Sequence, residues 1–393
     1  MKSQEAWLLP EGIEELLPEQ AEQLEALHRT LIDQMRSWGY QQVTPPFVDF
    51  LDSLLTGMGN DLKLQTFTLT DQISGRQMGI RADMTPQVAR MDAHQLKKDA
   101  PNRLCYIGTV LRTRSDDFAA SRSPIQCGAE LYGSSSINSD IEIIRLMLAT
   151  LNKTGISDAY LDLAHVGIYR GLANQAGLDD EREAALFEVL QRKAIPELEA
   201  MLADWSLDAD VSSMLRALAD LNGDVGVIKT AQQALAGAGQ PVLDALENLA
   251  GIAQALQTLA PETRLFIDLA ELRGYHYHNG VMFSAYLAGQ GQAIAWGGRY
   301  DNIGEDFGHA RPATGFSTDL KCLLDMTKTA VIAQTGIFAP SGNGAELLLA
   351  ITELREAGEC VIVELPDQVG SASDLGCDRQ LVMKNDGWEV VAL

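Results

Sequence analysis

Leu104-Cys105-Tyr106-Ile107-Gly108-Thr109-Val110-Leu111-Arg112-Thr113-Arg114 and Ile125-Gln126-Cys127-Gly128-Ala129-Glu130-Leu131-Tyr132 decide the architecture. Both are apolar runs of strand length, separated by one loop, and they read as the arms of a strand–loop–strand hairpin. Upstream, 42–47, 65–70 and 77–81 are further strand candidates, with Ser74-Gly75 where a hairpin turn would fall. Strands joined mostly by short turns predict an antiparallel sheet in an α+β fold, not a doubly wound parallel one. Helices are expected over 19–38, 86–96 and 139–151. In the first, Leu24, Leu27, Leu31 and Met35 recur at helical spacing between Pro18 and Gly39.

Outward from this core the chain divides into four stretches. Residues 1–175 and 261–327 carry the sheet, the latter with strands over 265–269, 281–286 and 293–296. Between them, 176–260 is rich in Ala, Leu, Glu and Gln and is broken near Pro196, Gly223, Gly237-Ala238-Gly239 and Pro241, as a helical insertion would be. Residues 328–393 read as a small α/β unit. With 393 residues, 46% of them hydrophobic, the chain can bury a large core. A formal charge of −24 argues against a broad basic footprint for nucleic acid or an anionic membrane surface. No apolar run approaches the roughly 18 residues of a membrane span. The opening Met1-Lys2-Ser3-Gln4-Glu5, leading into Leu8-Leu9-Pro10, has no signal-peptide core, and five cysteines without a CxxC read as reduced thiols. The expectation is a cytoplasmic protein.

Three segments carry candidate chemistry. Arg103, Arg112, Arg114 and Arg122 make 103–122 locally basic: an anion site, or a solvated hairpin paired with surface carboxylates. In Arg273-Gly274-Tyr275-His276-Tyr277-His278, an extended backbone would put the tyrosines on one face and the histidines on the other. Two imidazoles are too few for a metal, so a polar small-molecule pocket or plain sheet is expected there. Gly297-Gly298-Arg299-Tyr300-Asp301 reads as a glycine-flanked turn. With no Walker A pattern, dinucleotide fingerprint or nucleophile elbow, no cofactor and no metal are predicted.

In order along the chain, these segments resemble class II histidyl-tRNA synthetase over roughly residues 8–325. Leu9-Pro10-Glu11-Gly12 looks like its opening and Gly39-Tyr40 through Pro46 like the dimer-forming motif 1. Arg81-Ala82-Asp83-Met84-Thr85 resembles the segment that holds the α-amino group. Tyr106 through Arg112, ending in Gln126-Cys127-Gly128-Ala129-Glu130, resembles motif 2, and Gly315-Phe316 opens a motif 3 region. The resemblance implies a class II synthetase-like antiparallel sheet flanked by helices. It also implies a histidine-like pocket: Asp83 and Thr85 for an ammonium, Arg273 for a carboxylate, Gln126 and Glu130 lining it, and Tyr277 and Tyr300 as walls. His278 stands where the family has tyrosine, and Arg112 where it meets carboxylate and phosphate.

The departures shape the functional expectation. The Glu-Arg pair of motif 3, whose arginine grips ATP, aligns with Lys321-Cys322. Arg114 replaces an acidic residue, and the loop reads Asp116-Asp117-Phe118-Ala119-Ala120. The tail from Met326 to Leu393 has ten acidic against four basic residues, unlike a surface that meets RNA phosphate. A chain that keeps the amino-acid pocket without the ATP clamp looks like the synthetase's paralog, the regulatory subunit of ATP phosphoribosyltransferase. That resemblance implies a protein with no catalytic residues of its own. It would be a homodimer through the synthetase-like core, would bind and activate a short-form catalytic subunit in the first step of histidine biosynthesis, and would carry feedback by histidine. The alternatives are an active histidyl-tRNA synthetase or another paralog that binds an amino acid.

Overall fold

The computed structural model describes residues 7–56, 60–115, 121–272, 274–275, 277–301, 303, 307–308, 310–327, 335–384 and 387–393. Arg273, His276 and the acidic loop 116–120, all singled out above, lie outside the described residues. The chain forms two compact units, 1–329 and 330–393.

The first unit opens with α1 (Pro18–Ser37), β1 (Gln41–Gln42), β2 (Val48–Phe50), α2 (Leu51–Leu55), α3 (Asn60–Gln65), β3 (Phe67–Thr70), β4 (Gln77–Ile80) and α4 (Thr85–Arg90). It continues through β5 (Asn102–Thr109), β6 (Ile125–Tyr132), α5 (Ile137–Lys153), β7 (Tyr160–His165) and α6 (Val166–Gln175). A helical stretch follows: α7 (Asp180–Gln191), α8 (Ile195–Asp204), α9 (Ala209–Leu218), the two-residue β8 (Asn222–Gly223), α10 (Val227–Ala234) and α11 (Gln240–Leu259). The sheet resumes with β9 (Arg264–Asp268), β10 (Val281–Tyr286), β11 (Ala293–Arg299) and β12 (Ala313–Asp319), closed by α12 (Leu320–Met326). The second unit holds β13 (Gly336–Ala339), α13 (Ala345–Glu356), β14 (Val361–Val363), β15 (Cys377–Lys384) and β16 (Gly387–Ala392) in a four-stranded sheet.

Nine strands form the main sheet in the order β1-β5-β6-β12-β11-β10-β7-β9-β8. Its centre is antiparallel, as expected. The parallel pairs β1/β5 and β7/β9 near the edges make the whole sheet mixed. Both edge strands are two residues long. A separate three-stranded antiparallel sheet, β2-β4-β3, lies beside it. Helix α5 covers one face of the main sheet because its apolar residues recur on one stripe: Ile143, Ile144, Leu146, Met147 and Leu151 are almost wholly buried. Each such side chain contributes roughly 1.5–3 kcal/mol. Ser136 caps the helix, its side chain accepting from the Asn138 amide.

Three local expectations need correcting. The helix expected over 86–96 is α only to Arg90; Met91–Leu96 is a π-helical turn. That widening turns Asp92 inward, where it accepts from Asn102 Nδ2 at 2.8 Å and faces Arg311 at 3.1 Å. Gly297-Gly298-Arg299 is not a turn but the end of β11. Glycine is needed there for close approach, since a Cβ on Gly297 would lie 2.1 Å from the Gly315 carbonyl and 2.6 Å from the Phe283 ring. Nor do the described residues Gly274, Tyr275, Tyr277 and His278 form a strand. The amides of Tyr277 and His278 both donate to the Gly274 carbonyl at 2.8 Å, making a tight turn.

Arg299, at the end of β11, ties the sheet to α5. Its guanidinium meets Asp140 at 2.9 Å, Ser139 Oγ at 2.8 Å, the Ser134 carbonyl at 3.1 Å and Asp301 at 3.0 Å. Arg299 and Asp140 are 8% and 1% exposed. Arg299→Met would leave Asp140 buried without its counter-ion, at an expected cost of about 3–5 kcal/mol in urea unfolding. Adding Asp140→Asn should recover part of that loss. A combined loss equal to the sum of the two single losses would show that the pair is not coupled.

Candidate functional site

Strand alternation places Gln126, Gly128 and Glu130 on the sheet's open face, while Cys127, Ala129 and Leu131 enter the core beneath α5. The cross-strand register then sets out two rows. One runs from Glu130 through Gly315 and Gly298 to Met282; the next runs from Gly128 through Ser317, Trp296 and Ser284 to Asp162. The open face forms a cleft of about 1110 Å³. Asp83, Thr85, Arg112, Gln126, Glu130, Tyr277, His278 and Tyr300 all line it. Of the residues expected at a pocket, only Arg273 is outside what the structure describes.

At one point of the cleft, Asp83 Oδ1 accepts from the Thr85 amide at 2.8 Å and from Gln126 Nε2 at 3.0 Å. Gln126 Oε1 in turn accepts from the Met84 amide at 2.9 Å. These bonds orient a carboxylate, an amide and a hydroxyl before any ligand arrives. Deeper in, Glu130 is 2% exposed. Tyr106 donates to its Oε1 at 2.8 Å, Tyr300 donates to its Oε2, and Thr85 Oγ1 lies 3.1 Å from Tyr106 Oη. Burial pushes the Glu130 carboxyl up to about 8, against the opposing effect of the two tyrosyl hydroxyls. Tyr277 stacks on Tyr300, ring centroids 4.9 Å apart, and its buried hydroxyl has no hydrogen-bond partner. His278 stands edge-on to Tyr277 at 5.2 Å. Burial brings its imidazole down to about 4, so the ring is neutral. A Cβ on Gly274, at φ +75°, would lie 2.7 Å from His278 Cδ2.

The four arginines of 103–122 do not act together. Arg103 pairs with Glu142 at 2.7 Å, behind the sheet's β1 edge. Arg122 donates to the carbonyls of Arg112 and Glu11. Arg112 alone lines the cleft, its Nε 3.4 Å from the Ala82 carbonyl. Tyr275 turns away, its ring against Tyr169 and under the Arg170 guanidinium, its hydroxyl donating to Glu183. At the cleft's other end Lys321 Nζ reaches Ser123 Oγ at 3.2 Å and Glu14 at 3.5 Å. Cys322 beside it has a thiol pushed up to about 11 by burial, hence neutral. Asp162, raised by burial and the nearby Asp268 and Glu271 carboxylates to about 7, also faces the cleft. Sequence reading missed it. The alternation within Tyr160–His165 was the available signal.

Nine strands around a cleft with this arrangement of Asp83, Gln126, Glu130 and tyrosines define a class II histidyl-tRNA synthetase-like protein. The histidyl-tRNA synthetase family model matches residues 12–323. The model described as ATP phosphoribosyltransferase subunit HisZ C-terminal domain matches 334–391. The ATP phosphoribosyltransferase regulatory subunit of Thioalkalivibrio sulfidiphilus is 56% identical over 97% of both chains. That of Pseudomonas syringae pv. tomato is 51% identical over 100% of both. A solved structure of an ATP phosphoribosyltransferase regulatory subunit/histidyl-tRNA synthetase from Bacillus halodurans is 25% identical, with a TM-score of 0.82 over 94% of this chain and 95% of that one. The chain belongs to the family of ATP phosphoribosyltransferase regulatory subunits.

The buried carboxyl gives a pH signature. Folded Glu130 keeps its proton up to about pH 8, whereas in the unfolded chain it loses it near the model-peptide value of 4.5. Between these limits the native state binds more protons, so its contribution to stability falls as pH rises from about 5 to 8. Glu130→Gln should flatten that part of the profile, raising the urea midpoint more at pH 8 than at pH 5.5. An equal shift at both pH values would remove Glu130 from the account.

Proposed function

We propose that the chain is a non-catalytic subunit that binds a catalytic ATP phosphoribosyltransferase, activates it, and transmits inhibition by histidine bound in the cleft. One observation carries this reading: the amino-acid end of the cleft is built and hydrogen-bonded, whereas the opposite end holds Lys321 engaged with Glu14 and Ser123 beside an uncharged thiol. A triphosphate needs forked, fixed cations, and beside Arg112 this end adds only a lysine that already faces a carboxylate. Glu14, Asp319 and Asp325 add carboxylates along that end. The family membership supports a regulatory role, since the curated relatives carry that description over their full length.

In this reading Asp83, Thr85 and Gln126 take the ammonium, Arg273 the carboxylate, and Glu130, Tyr277 and Tyr300 the imidazole. His278 closes the ring pocket as a neutral wall, and Arg112 serves the carboxylate end. The homodimer forms through the synthetase-like core, and the protein works in the cytoplasm without metal or cofactor. Activation follows if the chain binds the partner's active conformation more tightly than its inactive one. Among the described residues no helix is long and apolar enough to cross a membrane, which suits a subunit of a dissolved enzyme.

Two outcomes test the reading. The purified chain should give no histidine-dependent ATP–pyrophosphate exchange. Turnover in the ordinary enzyme range of about 1–10³ per second would restore the synthetase alternative. Added to the catalytic subunit, the chain should co-elute with it and raise its rate. Calorimetry should show histidine binding, weakened about tenfold by Tyr277→Phe, for which ~1.4 kcal/mol suffices. Unchanged affinity in that variant would move the effector to another surface.

A further inference from the structure

Glu130 is a buried carboxyl whose charge has no counter-ion among the described residues. Both of its oxygens accept from tyrosyl hydroxyls, and among the described residues no lysine or arginine forms an ion pair with it. Oε2 fills the space that a side chain at position 315 would take, since a Cβ on Gly315 would lie 1.6 Å from it. The titratable and charged groups facing this position are Asp83 ahead of α4, Tyr106 on β5, Tyr132 at the end of β6, Tyr277 and His278 in the 274–278 turn, Tyr300 after β11, and Arg112 farther along the cleft. Asp83 adds negative charge, the tyrosines are driven further toward their neutral forms by burial, and His278 is neutral. Among the described residues near Glu130, the buried polar atoms without a hydrogen-bond partner are the Tyr277 and Tyr132 hydroxyls and His278 Nδ1.

Accepting the proposed histidine pocket, we propose that Glu130 and the ligand's imidazole hold a single proton between them, so that the ring is bound as imidazolium against a carboxylate. A buried charge is stabilised only when paired, and the ligand supplies the missing partner. Near pH 7 free Glu130 carries the proton and the free ring, with an ordinary value near 6.5, mostly does not. On binding, the carboxyl O–H bond breaks and a ring N–H bond forms, with no net exchange with solvent. Above pH 8 the free carboxyl is ionised and the free ring neutral, so binding draws one proton from solvent. Below pH 6 both free partners are protonated, and binding releases one.

Titration calorimetry of the full chain with L-histidine, in buffers of differing ionisation enthalpy, counts these protons. The expected result is release at pH 5.5, a count near zero at pH 7.2 and uptake approaching one proton at pH 8.5. Glu130→Gln should still release at pH 5.5 but take up nearly one proton less than the wild-type chain at pH 8.5. The ligand's α-ammonium contributes equally to both proteins and cancels in the difference. Binding by the wild-type chain without uptake at pH 8.5, or with the same uptake in Glu130→Gln, overturns proton sharing while leaving the pocket in place. No binding heat at any of the three pH values overturns the pocket reading and this inference with it.

Discussion

A buried carboxyl group sits on the cleft face of the main sheet, pressed against the backbone of the neighbouring strand. The closeness of Glu130 to Gly315 leaves no space for any side chain at position 315, and the same row continues through Gly298, where a Cβ would meet both His278 and the Val281 carbonyl at under 3 Å. Glycines in strand interiors are usually a weakness. Here they open the volume that Glu130 and His278 occupy. The tyrosines follow from the same need. A buried carboxyl without a cation is tolerable only if its oxygens are hydrogen-bonded, and Tyr106 and Tyr300 approach from opposite sides to meet it. The pocket's walls are thus set by what Glu130 requires.

The remainder of the first unit holds that arrangement still. Arg299 leaves β11 in the direction opposite to Tyr300, its immediate successor, and joins Asp140 and Ser139 on α5. One dipeptide therefore supplies both the strut that fixes the strand and the ring that caps the carboxyl. The π-helical turn after α4 does similar service at the other end, turning Asp92 toward Arg311 and Asn102. Tyr275 anchors the 274–278 turn to α6 and α7, so Tyr277 and His278 inherit their orientation from the helical stretch.

Much of this was legible in the sequence, for identifiable reasons. Long periodic elements declared themselves: the α1 and α5 stripes and the β5–β6 pair have apolar spacing that few alternatives satisfy. Eight of the residues that the ordered motifs singled out line one cleft. What failed was local. Gly297-Gly298 looked like a turn because close packing against Phe283 and Gly315 is invisible in a single chain. The 273–278 segment looked extended because alternating Tyr and His imitates a strand, while the positive φ of Gly274 that bends it leaves no distinct mark. The basic run 103–122 dissolved into separate partnerships because Glu142 and Glu11 lie far off in sequence. Tyr160–His165 is not among the strands read from the sequence, although its alternation places Asp162 in the cleft.

The two-residue edge strands have a consequence for assembly. β1 ends the main sheet with Gln41-Gln42 and β8 ends it with Asn222-Gly223, so neither edge offers more than a few unpaired amides and carbonyls. Continuation of the sheet into another chain needs a long, flat run of such groups. This sheet is therefore a poor template for strand-by-strand growth. Association through this sheet would rest on side-chain surfaces, whose contacts change one residue at a time, rather than on backbone pairing, which accepts almost any extended partner. On the proposed reading, in which the chain binds one particular enzyme, blunt edges make indiscriminate stickiness hard to acquire.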